Sequence, residues 1–263
     1  MPVVISGAAT DTNKAVVVWD NKATALNVTA STSATGYPAV NAADPATWSS
    51  WKPTEVPAWI RSDMGVATII DSVGIAAHQL ASTGATAAVQ WSTDNATWTT
   101  VYTYSATTDD DVLILFPAVT ARYWRIYITG AVVNIGYVSF STKLAFPQTP
   151  IDSYTPLHHA RQYTKMFNDS IKGAMLGNRV MAAGAETSVD LGFVDRAFVD
   201  SPIRGFESHY NQGGTFFYAG WPAGQPLDLG YCRAAGDEDI IKITYVEAGK
   251  LAELSFSVRA YVG

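Results

Sequence analysis

The sequence predicts a mainly β protein: a jelly-roll β-sandwich followed by a second, β-barrel-like domain with one short helix. Three observations predict this. The chain has 263 residues, of which 48% are hydrophobic, 12% aromatic and only 15% charged, so it can bury a sizeable core. Val, Thr, Tyr and Trp are frequent while Leu, Lys and Glu are few, a balance that favours strands over helices. Short apolar runs recur between Gly-, Asn- and Asp-rich breaks, the rhythm of strands and turns. The length favours two domains. The stretch Phe146 to Pro156, with three prolines and no periodicity, reads as the connector between domains spanning 1–148 and 151–263.

Within the first domain, Ala15 to Trp19 before Asp20-Asn21 reads as a strand that leads into or flanks the sandwich. Strands follow at Ile69 to Ala77, Ala87 to Ser92, Thr99 to Tyr104, Val112 to Phe116 and Arg122 to Ile128. Asp94-Asn95 and Asp109-Asp110-Asp111 read as turns between them. In the last strand Trp124, Ile126 and Ile128 fall on one face and Tyr123, Arg125 and Tyr127 on the other, the pattern of one packed and one wet side.

In the second domain, Leu157 to Met175 supports two readings. Its apolar residues fit a helical stripe, yet Asn168-Asp169-Ser170 also reads as a turn between strands. Arg179 to Met181 and Thr187 to Phe193 read as strands. Asp200-Ser201-Pro202 then offers a cap and a first-turn proline for a helix carrying Ile203, Phe206 and Tyr210 on one face and ending at Gly213-Gly214. A strand at Thr215 to Tyr218 follows. The chain closes on a hairpin, Ile241 to Tyr245 and Leu254 to Val262, turning at Glu247 to Lys250.

Four motifs stand in fixed order in the first domain: Asn41-Ala42-Ala43-Asp44-Pro45-Ala46-Thr47-Trp48-Ser49-Ser50, Pro57-Ala58-Trp59-Ile60-Arg61-Ser62-Asp63-Met64-Gly65, Gln90-Trp91-Ser92-Thr93-Asp94-Asn95-Ala96-Thr97-Trp98 and Ala121-Arg122-Tyr123-Trp124-Arg125-Ile126. Together they resemble the discoidin-like module (coagulation-factor type C, galactose-binding-like). The resemblance implies a jelly roll that binds ligands on the loops at one end and does no covalent chemistry, so the chain is expected not to be an enzyme. By matching loops it points to Trp51, Lys52, His78 and Gln79 as ligand contacts, the aromatic face stacking on a sugar and the polar groups reading hydroxyls. The competing reading makes Trp51 the cover of a core edge and His78 a surface residue. Trp59, Ile60 and Trp124 are expected in the core. The resemblance also implies a calcium in the loop Asn41 to Trp48, with Asp44 and Thr47 as oxygen donors. The stretch Asn134 to Val138 lacks the carboxylate that the family usually adds there, so an ordered loop without metal is the competing expectation, and no other cofactor is expected.

In the second domain, over residues 176–263, the order strand, capped helix, Gly213-Gly214-Thr215-Phe216-Phe217, hairpin is similar to the β-barrel domain of phage distal tail and tail-tip proteins. That implies a structural component of a tail tip or baseplate, located in a virion. Its partners would be other tail proteins and further copies in a homo-oligomeric ring, and its sandwich would contact host-surface glycans. The alternative is a stand-alone, extracellular carbohydrate-binding protein of lectin type, associated with a glycan-degrading system.

Other classes lack their signatures. Net charge is −6, from 23 acidic against 17 basic residues with no Lys/Arg cluster, so nucleic-acid binding is not expected. The only cysteine is Cys232, which rules out an intrachain disulfide. Membrane insertion is not expected, because no apolar run reaches the ~18 residues needed to span a bilayer. The N-terminus shows no secretory pattern. No Gly-x-Ser-x-Gly, Walker or zinc-protease motif occurs, and the adjacent His158-His159 point apart rather than towards one metal.

Overall fold

Two long, bent strands organise the N-terminal half of the protein. A computed structural model describes residues 3–151 and 154–262; Asp152 and Ser153 of the sequence-predicted connector lie outside the described residues. In chain order the N-terminal elements are β1 Val3–Ile5, β2 Val16–Val18, β3 Val28–Ala30, β4 Ala58–His78, α1 Leu80–Thr83, β5 Thr86–Ser92, β6 Thr99–Ser105, β7 Val112–Thr129, β8 Ile135–Ser141 and β9 Leu144–Ala145. The C-terminal elements are β10 Arg161–Asp169, β11 Met175–Asp195, α2 Arg196–Asp200, α3 Arg204–Asn211, β12 Phe216–Ala219, β13 Leu229–Arg233, β14 Lys242–Val246 and β15 Leu251–Ala260. The chain is mainly β, with a jelly-roll-like sandwich as the sequence predicts.

The motif around Trp59 and the predicted strand Ile69 to Ala77 form one continuous strand, β4, and the predicted strands at 112–116 and 122–128 form one strand, β7. These two pair antiparallel along most of their length, with register shifts between Asp63 and Thr68 and between Ile70 and Ser72. Irregularities of this kind bend and twist a strand, and they carry each strand from one layer of the sandwich into the other. The first half of β4 and second half of β7 join β3, β5 and β6, while their other halves join β1 and β8. Trp124, Ile126 and Ile128 are fully buried on the expected face. The Trp124 ring meets Phe116 at 5.8 Å and Phe140 at 6.3 Å across the core.

The second sheet runs β10-β11-β15-β13-β12-β2-β9, with β14 also on β15. It takes two strands from the N-terminal half: Val16–Val18 pair with Phe217–Ala219 on one side and with Leu144–Ala145 on the other. All three valines are buried because both faces of this sheet are covered. Val17 faces a core that includes Phe146, Phe206, Phe216 and Phe256, whereas Val16 and Val18 face the sandwich. There they pack with Leu113, Leu115, Ala76 and Tyr137 against Phe217, Leu229 and Tyr231.

The expected C-terminal helix forms as α3, beginning at Arg204, and buries Phe206 and Tyr210. Residues 201–203 form a turn rather than its cap and first turn, because a separate short helix, α2, ends at Asp200 and no side chain caps α3. The ambiguous segment Leu157 to Met175 is a turn followed by β10, and the chain reverses where the Ser170 and Ala174 backbones hydrogen-bond at 2.8 Å. The hairpin reading holds over the helical one. No helix of the described residues is long and apolar enough to cross a membrane.

Candidate functional site

A cleft of about 630 Å³ opens where one end of the sandwich meets the second sheet. Four loops or strand ends of the sandwich reach it: Thr47 and Trp48, His78 and Gln79 at the end of β4, Asp109 to Asp111 ahead of β7, and Asn134 ahead of β8. The second half closes the other wall with Leu157, His158, Arg161, Leu229 and Tyr261. The opposite end of the sandwich holds the β4 bend and the Asp94-Asn95 turn, and it does not contribute.

Each wall residue is fixed by local structure. Asp109 Oδ1 accepts the Ala81 and Ser82 N–H groups at 2.8 and 3.2 Å, satisfying orphan donors at the start of α1. Burial works against ionisation of Asp109, but the hydrogen bonds from Ser82 and Ala81 outweigh it and hold its carboxyl below the usual range. His78 is 3% exposed, and its Nδ1 accepts the Leu80 N–H at 3.3 Å. Burial pushes its imidazole below the ordinary histidine value, against the opposing charge of Asp109. Asp111 is buried where the two sheets meet. Its Oδ2 accepts the Tyr231 N–H at 2.8 Å, and burial pushes its carboxyl up to about 7. At the rim Arg161 lies 3.5 Å from Asp110.

The cleft gathers buried polar atoms that have no hydrogen-bond partner within the chain. Among the described residues these include Asn134 Oδ1 and His158 Nδ1, both from residues that line this wall. These atoms are shielded within the wall; the polar side chains that stand open to the cleft are Gln79, Asp110 and Arg161. Trp48 stands beside them, 87% exposed, with its ring face free. An exposed aromatic next to convergent donors and acceptors is the arrangement that holds a sugar, the ring covering an apolar C–H face and the polar atoms orienting hydroxyls.

The sequence-predicted contacts divide. His78 and Gln79 line the cleft. Trp51 does not: it is fully buried, bridges Ile135 through paired backbone hydrogen bonds of 2.8 and 2.9 Å, and donates its indole N–H to the Thr32 carbonyl at 3.0 Å. Its ring is part of the sandwich core, as the competing reading had it. Lys52 lies away from the cleft, its ammonium 5.9 Å from the Tyr37 ring centre. Trp48, three residues before Trp51, is the exposed aromatic that the sequence reading passed over. Periodicity could not separate the two tryptophans, because the β-bridge that draws Trp51 inward is made to a distant strand.

The two calcium candidates also separate. Thr47 faces the cleft, while Asp44 turns its carboxylate back to accept the Ala46 N–H at 3.0 Å. The Pro45 carbonyl, another candidate donor in this loop, accepts the Tyr231 hydroxyl at 2.8 Å. One self-capped carboxylate and an occupied carbonyl do not fit an ion that takes six to eight oxygens. Among the described residues no group of three or more His, Cys, Asp or Glu side chains converges on a point that could hold a metal.

Residues 27–141 match the family described as the F5/8 type C domain. Among solved structures, chitosan-binding module 1 of a chitosanase/glucanase from Paenibacillus sp. IK-5 is 27% identical, with a TM-score of 0.38, covering 45% of this chain and 96% of that one. The CBM32 module of AlyQ, solved with 4,5-unsaturated mannuronic acid, is 27% identical at a TM-score of 0.39, covering 47% and 96%. CpGH89CBM32-5 from Clostridium perfringens, solved with GalNAc-beta-1,3-galactose, is 12% identical at 0.39, covering 44% and 94%. No curated protein matches.

Proposed function

We propose that the protein is a carbohydrate-binding protein whose F5/8 type C domain takes a glycan at the cleft between the sandwich end and the second sheet. The observation that carries this reading is the exposed Trp48 standing in a cleft whose open polar side chains are Gln79, Asp110 and Arg161. The reading is one of binding without covalent chemistry. A glycan partner favours an extracellular or cell-surface setting.

The family match over residues 27–141 supports the carbohydrate-binding reading, whereas the tail-component reading rests only on the order of elements in residues 176–263. The carbohydrate-binding reading therefore stands ahead of the tail-component reading.

The test is calorimetric titration of the full chain with chitotriose, unsaturated mannuronate and GalNAc-beta-1,3-galactose, extended to a glycan array. Binding to at least one glycan, lost in Trp48→Ala, supports the proposal. Absence of any glycan binding, or binding that survives loss of Trp48, overturns it.

A further inference from the structure

The hairpin of β10 and the first part of β11, Met175 to Met181, stands apart from both cores. From Arg161 to Asp169 and from Ile171 to Met181 every residue is exposed, and β10 hydrogen-bonds only to β11. Nine residues of strand extend about 30 Å. Along this arm Phe167 is 65% exposed, Leu176 69%, Met175 93% and Ile171 fully exposed. A two-stranded ribbon is at best marginally stable in water, and large uncovered apolar side chains in one place mark an interaction surface.

Charge indicates what covers it. The arm carries Arg161, Lys165, Lys172 and Arg179 against the single Asp169, a net charge of +3. The whole chain carries −6, so everything outside the arm carries −9. Two arms laid side by side would bring like charges together, whereas an arm laid on the body of another copy brings opposite charges together.

We infer that this arm is a self-association element: the apolar, basic β10–β11 hairpin docks on the acidic body of a second copy of this chain. Such a contact is heterologous, since the docking element and the docked surface differ, and repeated copies form a closed ring or an open filament. The proposal does not depend on glycan binding.

The mass of the full chain in solution, measured by light scattering on a sizing column and by sedimentation velocity, tests this. The expected result is a species of at least twice the monomer mass that dissociates as salt is raised. Phe167→Ser with Ile171→Ser should give a monomer with an unchanged thermal midpoint, because both side chains are exposed. The charge reversal Lys165→Glu, Lys172→Glu, Arg179→Glu should do the same and decides the matter if the apolar variant fails to fold. Carbodiimide cross-linking of mixed light and heavy isotope-labelled chains should join Lys172 of one copy to acidic residues outside the arm of another. A wild-type monomer at the highest soluble concentration, an oligomer that persists in both variants, or cross-links from arm to arm would each overturn the proposal. So would an arm found to bind only another protein.

Discussion

The ring of Phe217 lies on the α-carbon of Gly74: a β-carbon added there would stand 2.3 Å from Phe217 Cε2. Gly74 sits in the middle of β4, paired with Leu113 on one side and Ser139 on the other, so the backbone cannot retreat. Phe217 is further held by Tyr137 at 6.1 Å and Tyr231 at 5.0 Å. Through this contact the second sheet packs directly on the sandwich.

Gly74→Ala is therefore expected to destabilise by about 1–3 kcal/mol, the usual penalty of overpacking. Phe217→Ala should cost about 3–5 kcal/mol. Six of the eight tryptophans lie between residues 48 and 124, so fluorescence reports mainly on the sandwich while circular dichroism reports on both sheets. The two unfolding curves should coincide for the wild type and separate for Phe217→Ala. Separate curves in the wild type would show that the Gly74 contact does not couple the sheets.

Trp48 and Trp51 should behave in opposite ways. Trp51→Ala removes a fully buried indole and its hydrogen bond to Thr32, and should lower stability by about 3–5 kcal/mol. Trp48→Ala removes an exposed ring and should leave the melting temperature unchanged while reducing glycan affinity at least tenfold. Equal melting temperatures for the two variants would contradict this assignment of core and cleft.

That contrast shows where sequence reasoning reached and where it stopped. Alternation within a strand is a local property, and it placed Trp124, Ile126 and Ile128 in the core correctly. The cleft was legible only in part, through His78 and Gln79. The opposite wall, including His158, Arg161 and Tyr261, comes from strands and loops more than 75 residues further along the chain. The joining of the two half-strands of β4 could not be read either, since bulges interrupt its periodicity. Val16 to Val18 announced a strand, but its partner at Phe217 to Ala219 is fixed by burial on both faces, a tertiary property. Likewise the apolar spacing of Leu157 to Met175 suits a helix and a hairpin about equally, and pairing with β11 decides it.

Asp111 should make stability depend on pH. Its carboxyl, pushed up to about 7 by burial, lies above the ordinary aspartate value of 3.8, so the folded state holds a proton that the unfolded state releases. Its contribution is complete below about pH 4 and is lost as pH rises through about 7. His78, with its pKa lowered by burial, works in the other sense and favours the folded state less as pH falls. Asp111→Asn keeps an acceptor for the Tyr231 N–H and removes the charge. Urea unfolding midpoints of the wild type should fall between pH 4.5 and 7.5, while those of Asp111→Asn should fall less and exceed the wild type at pH 7.5. A wild-type midpoint that is flat over this window would show that Asp111 does not titrate there.

Asp228 offers a second buried carboxylate with a different partner set. It is 1% exposed and accepts the Tyr154 hydroxyl on both oxygens, at 2.9 and 2.8 Å, and the Leu157 N–H at 2.8 Å. Burial raises its pKa, and the Leu157 and Tyr154 hydrogen bonds offset part of that rise. Tyr154→Phe removes one of those offsets while keeping the ring, so the folded pKa should rise further and stability should fall by about 1–3 kcal/mol. The loss should be larger at pH 8, where the unfolded carboxyl is fully ionised and the folded one must be either charged and poorly paired or protonated at a cost. At pH 3, below the ordinary aspartate value of 3.8, the carboxyl is protonated in the unfolded chain as well, and the loss should shrink. Asp228→Asn, which retains an acceptor for both donors and buries no charge, should cost less at pH 8 than Tyr154→Phe. Denaturation of the three proteins at both pH values separates the causes: a Tyr154→Phe penalty that is the same at pH 3 and 8 would assign it to packing, not to the charge of Asp228.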